Sequence, residues 1–147
     1  MFSFYNPVKV SFLNKEELVK RLLTRAQGKN VALFLTKSMM ERLNLLAFVS
    51  NLKAISNVVW IDDVKPNPTC EDIYDKLIKF KDFDIDEVYA IGGGSVIDSA
   101  KAVKALYYLT KENSFSKGRV YSSVIDGEYL EYINEAYFVA VPTTSGT

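Results

Sequence analysis

Apolar residues alternate, run together or recur at helical spacing along most of the chain, and these patterns follow one another in a regular order. Val8, Val10 and Phe12 alternate with polar neighbours and predict a short strand. Asn14 and Glu17 have the spacing of a capping box. Leu18, Leu22 and Leu23 behind them share one face of a helix that Gly28 closes. Residues 31–36 form an almost continuous apolar run, as expected of a parallel strand covered on both faces. Ser38 and Glu41 repeat the capping-box spacing, with Leu43, Leu46 and Val49 or Ser50 continuing a second helix. Residues 58–61 predict another buried strand. Thr69 and Asp72 open a third helix, whose inner face carries Ile73, Leu77 and Phe80. Residues 86–91 read as a strand, and Ile97, Ala100, Val103 and Leu106 or Tyr107 recur behind it at helical spacing.

From 110 to 135 the periodicity fades. Residues 111–118 read as a solvated loop, Asp126 and Gly127 as a turn, and 128–133 as a short helix. Residues 137–141 form the last predicted strand, which Pro142 ends. Strands that alternate with helices of about ten residues or more need crossover connections, hence a parallel sheet. Right-handed crossovers then put helices on both faces, giving a three-layer, Rossmann-like α/β fold. Ligands of such a sheet sit outside the carboxyl ends of its strands. Four strand ends qualify: Thr36 and Lys37, the loop 62–67, Gly92 to Ser95, and Pro142 to Thr144.

Composition narrows this only by exclusion. The 147 residues are enough for one domain with its own core. Eighteen basic and eighteen acidic residues give a formal net charge of zero, so bulk charge attracts neither nucleic acid nor an anionic membrane. The single Cys70 excludes an internal disulfide framework and fits a reducing compartment, so the chain reads as cytoplasmic. No apolar run approaches the ~20 residues of a membrane-spanning helix. Histidine is absent, which removes the commonest general base and the commonest metal ligand.

The chemistry therefore rests on Gly92-Gly93-Gly94-Ser95, at a strand-to-helix turn. Glycines allow a sharp turn and close approach by another group, and the first amides of a helix lack partners within it. Ser95 is placed to cap that helix, with Asp98 in its first turn. The turn is a candidate phosphate seat, though it also reads as a plain glycine-rich connection. Ile97 stands where the G-x-G-x-x-G fingerprint requires its third glycine, and the Gly-Lys pair of a P-loop is missing.

The run from Gly92 to Lys101 resembles the GGGS-x-x-D-x-x-K signature of iron-containing (group III) alcohol dehydrogenases. Pro66-Asn67-Pro68-Thr69 is similar to the P-N-P-T turn of that family. Residues 141–147 are similar to the start of its P-T-T-x-G-T-G-S-E segment. The resemblance implies an NAD(P)-binding domain over residues 1–147, of the dehydroquinate synthase-like N-terminal type and incomplete at its C-terminus. It implies hydride transfer between the cofactor and a small alcohol or aldehyde. Gly93, Gly94 and Ser95 would meet the cofactor diphosphate, and Asp98 would lie near the nicotinamide end. An ion pair of Asp98 with Lys101 is the competing helical reading. Thr143 and Thr144 would line the cleft, and Asn67 would lie near the adenosine half. Lys37 stands where many NAD-using members carry Asp, which tilts the expectation toward NADP. The family's Fe2+ or Zn2+ is held by an Asp and three His in a helical domain that this chain is expected to lack. The chain alone is then expected to be inactive and to expose apolar surface near Pro142, with a homodimer as one outcome. Two alternatives remain at this point: a stand-alone nucleotide- or phosphate-binding module, and a fragment of a glycerol dehydrogenase-like enzyme.

Overall fold

The computed structural model describes residues 8–143 and arranges four strands as one parallel sheet in the order β2-β1-β3-β4. The strands are β1 Asn30–Phe34, β2 Asn57–Ile61, β3 Glu87–Gly92 and β4 Tyr137–Pro142. Helices α1 Lys15–Ala26, α2 Lys37–Arg42 and α3 Leu46–Ile55 precede β2, and α4 Cys70–Ile78 precedes β3. Helices α5 Gly94–Leu106 and α6 Lys117–Asp126 lie between β3 and β4. Short 3-10 turns occupy Tyr107–Lys111 and Glu128–Glu131.

Alternate residues of the central strands feed two cores. Val31, Leu33, Tyr89 and Ile91 pack on one face with Leu22 and Ala26 of α1, Met40 of α2 and Phe48, Val49 and Leu52 of α3. Ala32, Phe34, Val88 and Ala90 pack on the other with Ile73 and Leu77 of α4, Ala100 and Val103 of α5 and Val120 of α6. This is the expected three-layer fold. Each fully buried aliphatic or aromatic side chain contributes roughly 1.5–3 kcal/mol of transfer free energy, so two cores built on one sheet hold it from both sides. No helix among the described residues is long and apolar enough to cross a membrane.

The capping predictions divide. Asn14 accepts from the Glu17 amide, and Thr69 and Asp72 form a complete capping box on α4. Bonds from the Thr69 amide and hydroxyl hold the Asp72 carboxyl below its usual range. At α2, however, the cap is Thr36 rather than Ser38, because Thr36 is the extended residue that leaves β1. The predicted second helix is also two helices. Asn44 takes a left-handed φ of 54°, and the Leu45 amide closes on Met40 O at 2.8 Å, so the chain turns before α3.

Residues 8–14 correct the first strand, since they lie outside every strand. Alternation alone does not make a strand, and Phe12 is 96% exposed. The predicted loop 111–118 is also too long, for α6 begins at Lys117 behind a Ser116 cap and ends at the left-handed Gly127. Arg119 fastens this region by bonding Glu112 at 2.9 Å and Glu128 at 2.5 Å. Of the six tyrosines between 107 and 137, Tyr107, Tyr108 and Tyr129 pack on the core. Tyr121, Tyr132 and Tyr137 stay at least 45% exposed.

At the amino ends of the strands, Glu87 is 1% exposed and takes Arg25 Nε at 2.8 Å, with Lys29 Nζ at 3.7 Å. Tyr89 Oη donates to Leu22 O at 3.3 Å, and the Arg25 guanidinium lies 3.5 Å from the Tyr137 ring centre. One arginine thus joins α1, β3 and β4.

Candidate functional site

The four strand ends proposed from sequence do lie along one edge of the sheet, because all four strands are parallel and in register. β1 continues through α2 and α3 on one face, whereas β3 continues through α5 on the other. The reversal opens a crevice between the ends of β1 and β3, where ligands of open α/β sheets bind.

The glycine turn fills one side of that crevice. Gly92 has φ +157°, and a Cβ there would lie 2.9 Å from Val96 Cγ2, so this glycine serves the fold. Gly94 differs. A Cβ built on it meets nothing within 4 Å, so the protein leaves space there that packing does not require. Helix α5 begins at Gly94, with Gly93 as its N-cap and no side-chain cap bond, in place of the predicted Ser95 cap. By contrast, α1, α2, α4 and α6 are each capped by an Asn, Thr or Ser side chain, while α3, which follows α2 directly, shares the lack of one. The first amides of α5 lack intrahelical partners by geometry, and the positive end of the helix dipole is exposed with them.

This shift of the cap changes the reading of Asp98. With Gly93 as N-cap, Asp98 falls in the second turn, too far along to serve the helix end as a capping-box residue. It is exposed, and no ion pair to Lys101 is formed among the described residues.

Thr143 lies directly beside the turn, its amide donating to Gly92 O at 3.1 Å. Its Oγ1 is buried and has no hydrogen-bond partner among the described residues. Burying a hydroxyl unpaired costs about 1–3 kcal/mol, and the Ser99 hydroxyl inside α5 is in the same state. Thr144 lies outside the described residues. Across the crevice, Lys37 is the first residue of α2 and pairs with Asp62 Oδ2 at 3.4 Å. Asn67 is exposed in the 62–69 loop with a left-handed φ of 50°, a conformation that Asn tolerates, which accounts for its presence in the turn. The structure thus groups Gly93, Gly94, Ser95 and Thr143 at one place. It puts Lys37 on the neighbouring strand end and Asn67 farther out on the loop after β2.

Asp62 is the residue sequence reasoning passed over within its own suspect loop. Its signal was an acid one step beyond an apolar strand and beside a basic helix start. Two cavities, of about 630 and 530 Å3, lie at the opposite end of the molecule, around Lys104 and Lys111. Burial lowers the Lys104 amine below the usual lysine range. No three His, Cys, Asp or Glu side chains come together as a metal site among the described residues. The described residues therefore do not fit the metal that the resemblance implies.

Comparison with known proteins gives a concordant picture. The sequence profile described as iron-containing alcohol dehydrogenase matches residues 7–147. A Clostridium saccharobutylicum NADPH-dependent butanol dehydrogenase is 32% identical over 127 residues, covering 85% of this chain and 31% of that protein. A Bacillus subtilis protein named "Probable NADH-dependent butanol dehydrogenase 2" is 35% identical over 106 residues, covering 71% and 27%. The crystal structure of an iron-containing alcohol dehydrogenase from Thermotoga maritima superposes with a TM-score of 0.73 at 27% identity. That match covers all of this chain and 39% of the other. The chain thus spans about a third of the length of the relatives it matches.

Proposed function

The chain belongs to the iron-containing alcohol dehydrogenase family, and from that premise we propose that it forms the cofactor-binding part of an NAD(P)-dependent alcohol dehydrogenase. The reaction is reversible hydride transfer between a nicotinamide dinucleotide and a small alcohol or aldehyde, acting in the cytoplasm. When bound, the nicotinamide ring supplies the hydride-carrying chemistry. This chain's residues supply binding and orientation. The free amides of Gly94 and Ser95 receive the diphosphate at the positive end of α5, and Gly94 leaves room for its oxygens. The Thr143 hydroxyl gains its hydrogen bond from the cofactor side of the crevice. Asn67 borders the adenosine half, Asp98 borders the nicotinamide half, and Lys37 attracts a 2′-phosphate, which favours NADP. No step is assigned to a metal, because the described residues hold no site for one.

The observation that carries this reading is the uncapped helix start with open space at Gly94, beside an unpartnered buried hydroxyl. Trp60 gives a direct test. It is the only tryptophan, and its Nε1 donates to Leu35 O at 2.7 Å, at the edge of the proposed site. Titration with NADP or NAD is expected to change Trp60 emission saturably, without alcohol oxidation by the 147-residue chain supplied with iron or zinc. Absence of binding by either dinucleotide would overturn the site. Stoichiometric metal with turnover would overturn the division of labour.

A further inference from the structure

The ends of β1 and β2 carry a charge pair that the cofactor reading has so far used on one side only. The β1–β2 ladder ends with Phe34 opposite Ile61 and Leu35 N donating to Ile61 O at 3.1 Å, so Lys37 and Asp62 follow the ends of adjacent strands. The backbone beneath Lys37 is fixed. Trp60 bonds Leu35 O, and Thr36 Oγ1 accepts from the Met39 amide at 3.2 Å. The Lys37 side chain is nevertheless 70% exposed, while that of Asp62 is 32% exposed. The carboxylate is the more enclosed partner, and the lysine is the more exposed one.

The other charges of this loop are committed elsewhere. Asp63 pairs with Lys79 at 3.7 Å, and Lys65 pairs with Asp72 at 3.5 Å. Asp62 is therefore the sole counter-ion of Lys37 among the described residues. A phosphate arriving at Lys37 must take the ammonium from Asp62 and then sit near a like charge. A ribose hydroxyl meets the reverse situation, since a carboxylate accepts its hydrogen bond.

We propose that Asp62 is a specificity-determining residue of the cofactor site, competing with a 2′-phosphate for Lys37 and so keeping NAD competitive with NADP. The proposal rests on the reading of Lys37 as the 2′-phosphate contact. It gives one ion pair two uses: the lysine attracts NADP, and the acid limits that preference. Exposed pairs of this kind are worth about 1 kcal/mol or less, so parental discrimination is expected to stay within about tenfold.

The test is equilibrium binding of NADP and NAD to the 147-residue chain, to Asp62→Asn, to Lys37→Ala and to the double variant. Circular dichroism melts verify that each is folded, and Asp62→Ala serves as a second replacement. Asp62→Asn is expected to raise the NADP-to-NAD affinity ratio about three- to tenfold, and Lys37→Ala to lower it. In the Lys37→Ala background the gain from Asp62→Asn should shrink, because the contested ammonium is gone. An equal gain in both backgrounds overturns the competition. A ratio unmoved by Asp62→Asn but lowered by Lys37→Ala overturns the role of Asp62 and leaves the Lys37 reading intact. A ratio unmoved by Lys37→Ala removes both, and absence of binding by either cofactor removes the diphosphate seat as well.

Discussion

The two ends of the sheet treat polar groups in opposite ways. At the amino end, Glu87 is buried but answered by Arg25 and Lys29, while the Tyr89 hydroxyl finds a backbone carbonyl. Burial and the neighbouring Glu87 push the Tyr89 phenol above its usual range, so it remains a neutral donor at ordinary pH. At the carboxyl end, α5 starts without a side-chain cap, Gly94 faces open space and the Thr143 hydroxyl lacks a partner among the described residues. Both ends are built from the same strands, so strand propensity does not explain the difference. Satisfaction of polar groups does: among the described residues, the buried side chains at one end find partners, whereas at the other the α5 start has no side-chain cap and the Thr143 hydroxyl has no partner.

The contrast breaks most visibly if the complete end is opened. Arg25→Ala leaves Glu87 buried with only Lys29 at 3.7 Å and the Tyr89 hydroxyl at 3.4 Å, and should cost about 3 kcal/mol. At this chain length that lowers the thermal midpoint by roughly 10 °C. Affinity for nicotinamide dinucleotide, measured well below that midpoint, should stay within about twofold of the parent. A loss of affinity equal to the loss of stability would mean that the two ends are not separable.

The glycines sharpen the comparison within the open end. Gly94→Val should lower dinucleotide affinity at least about tenfold, roughly 1.4 kcal/mol, while the melt shifts little. Gly92→Ala should do the reverse. Its Cβ would press on Val96 and cost about 1–3 kcal/mol of stability whether or not ligand is present. Parallel effects of the two substitutions on melting and binding would reduce the turn to a connection.

The smallest expected effect is at Thr143. Replacing it by Val removes a buried hydroxyl that the described chain leaves unpaired. The free protein should melt at or slightly above the parental temperature, by at most about 1 kcal/mol, while dinucleotide binds a few-fold more weakly. A clearly destabilised free protein would show that the hydroxyl already has a structural partner.

Most of this organisation was legible in the sequence where apolar spacing and one cap agreed. The alternating inward residues of β1 and β3 and the Thr69–Asp72 box on α4 are examples. Helix α6 escaped because only Val120 and Ser123 are buried on its inner side, and a serine breaks an apolar count. Ser123 is acceptable there because it shares a 2.6 Å hydrogen bond with Tyr108 Oη, a partner invisible to local pattern. Ser95 and Ser38 misled for one reason. Each stands two residues past the N-cap at which the backbone changes from extended to helical, and tertiary geometry chooses which residue makes that change. The site was legible as a glycine turn. The open volume at Gly94 and the Lys37–Asp62 pair were not, since both depend on how separate strands end beside each other.

The strand order has a consequence for the nascent chain. β1 gains its first neighbour, β2, after α2 and α3, but its other edge waits for β3, whose partner positions lie 56 residues downstream from Val31 to Glu87. Until residue 92 has been synthesised, one side of an apolar strand presents unpaired amides and carbonyls to its surroundings. Such edges invite pairing with other chains, so slow translation between β2 and β3 should raise the yield of insoluble protein more than slowing within α5.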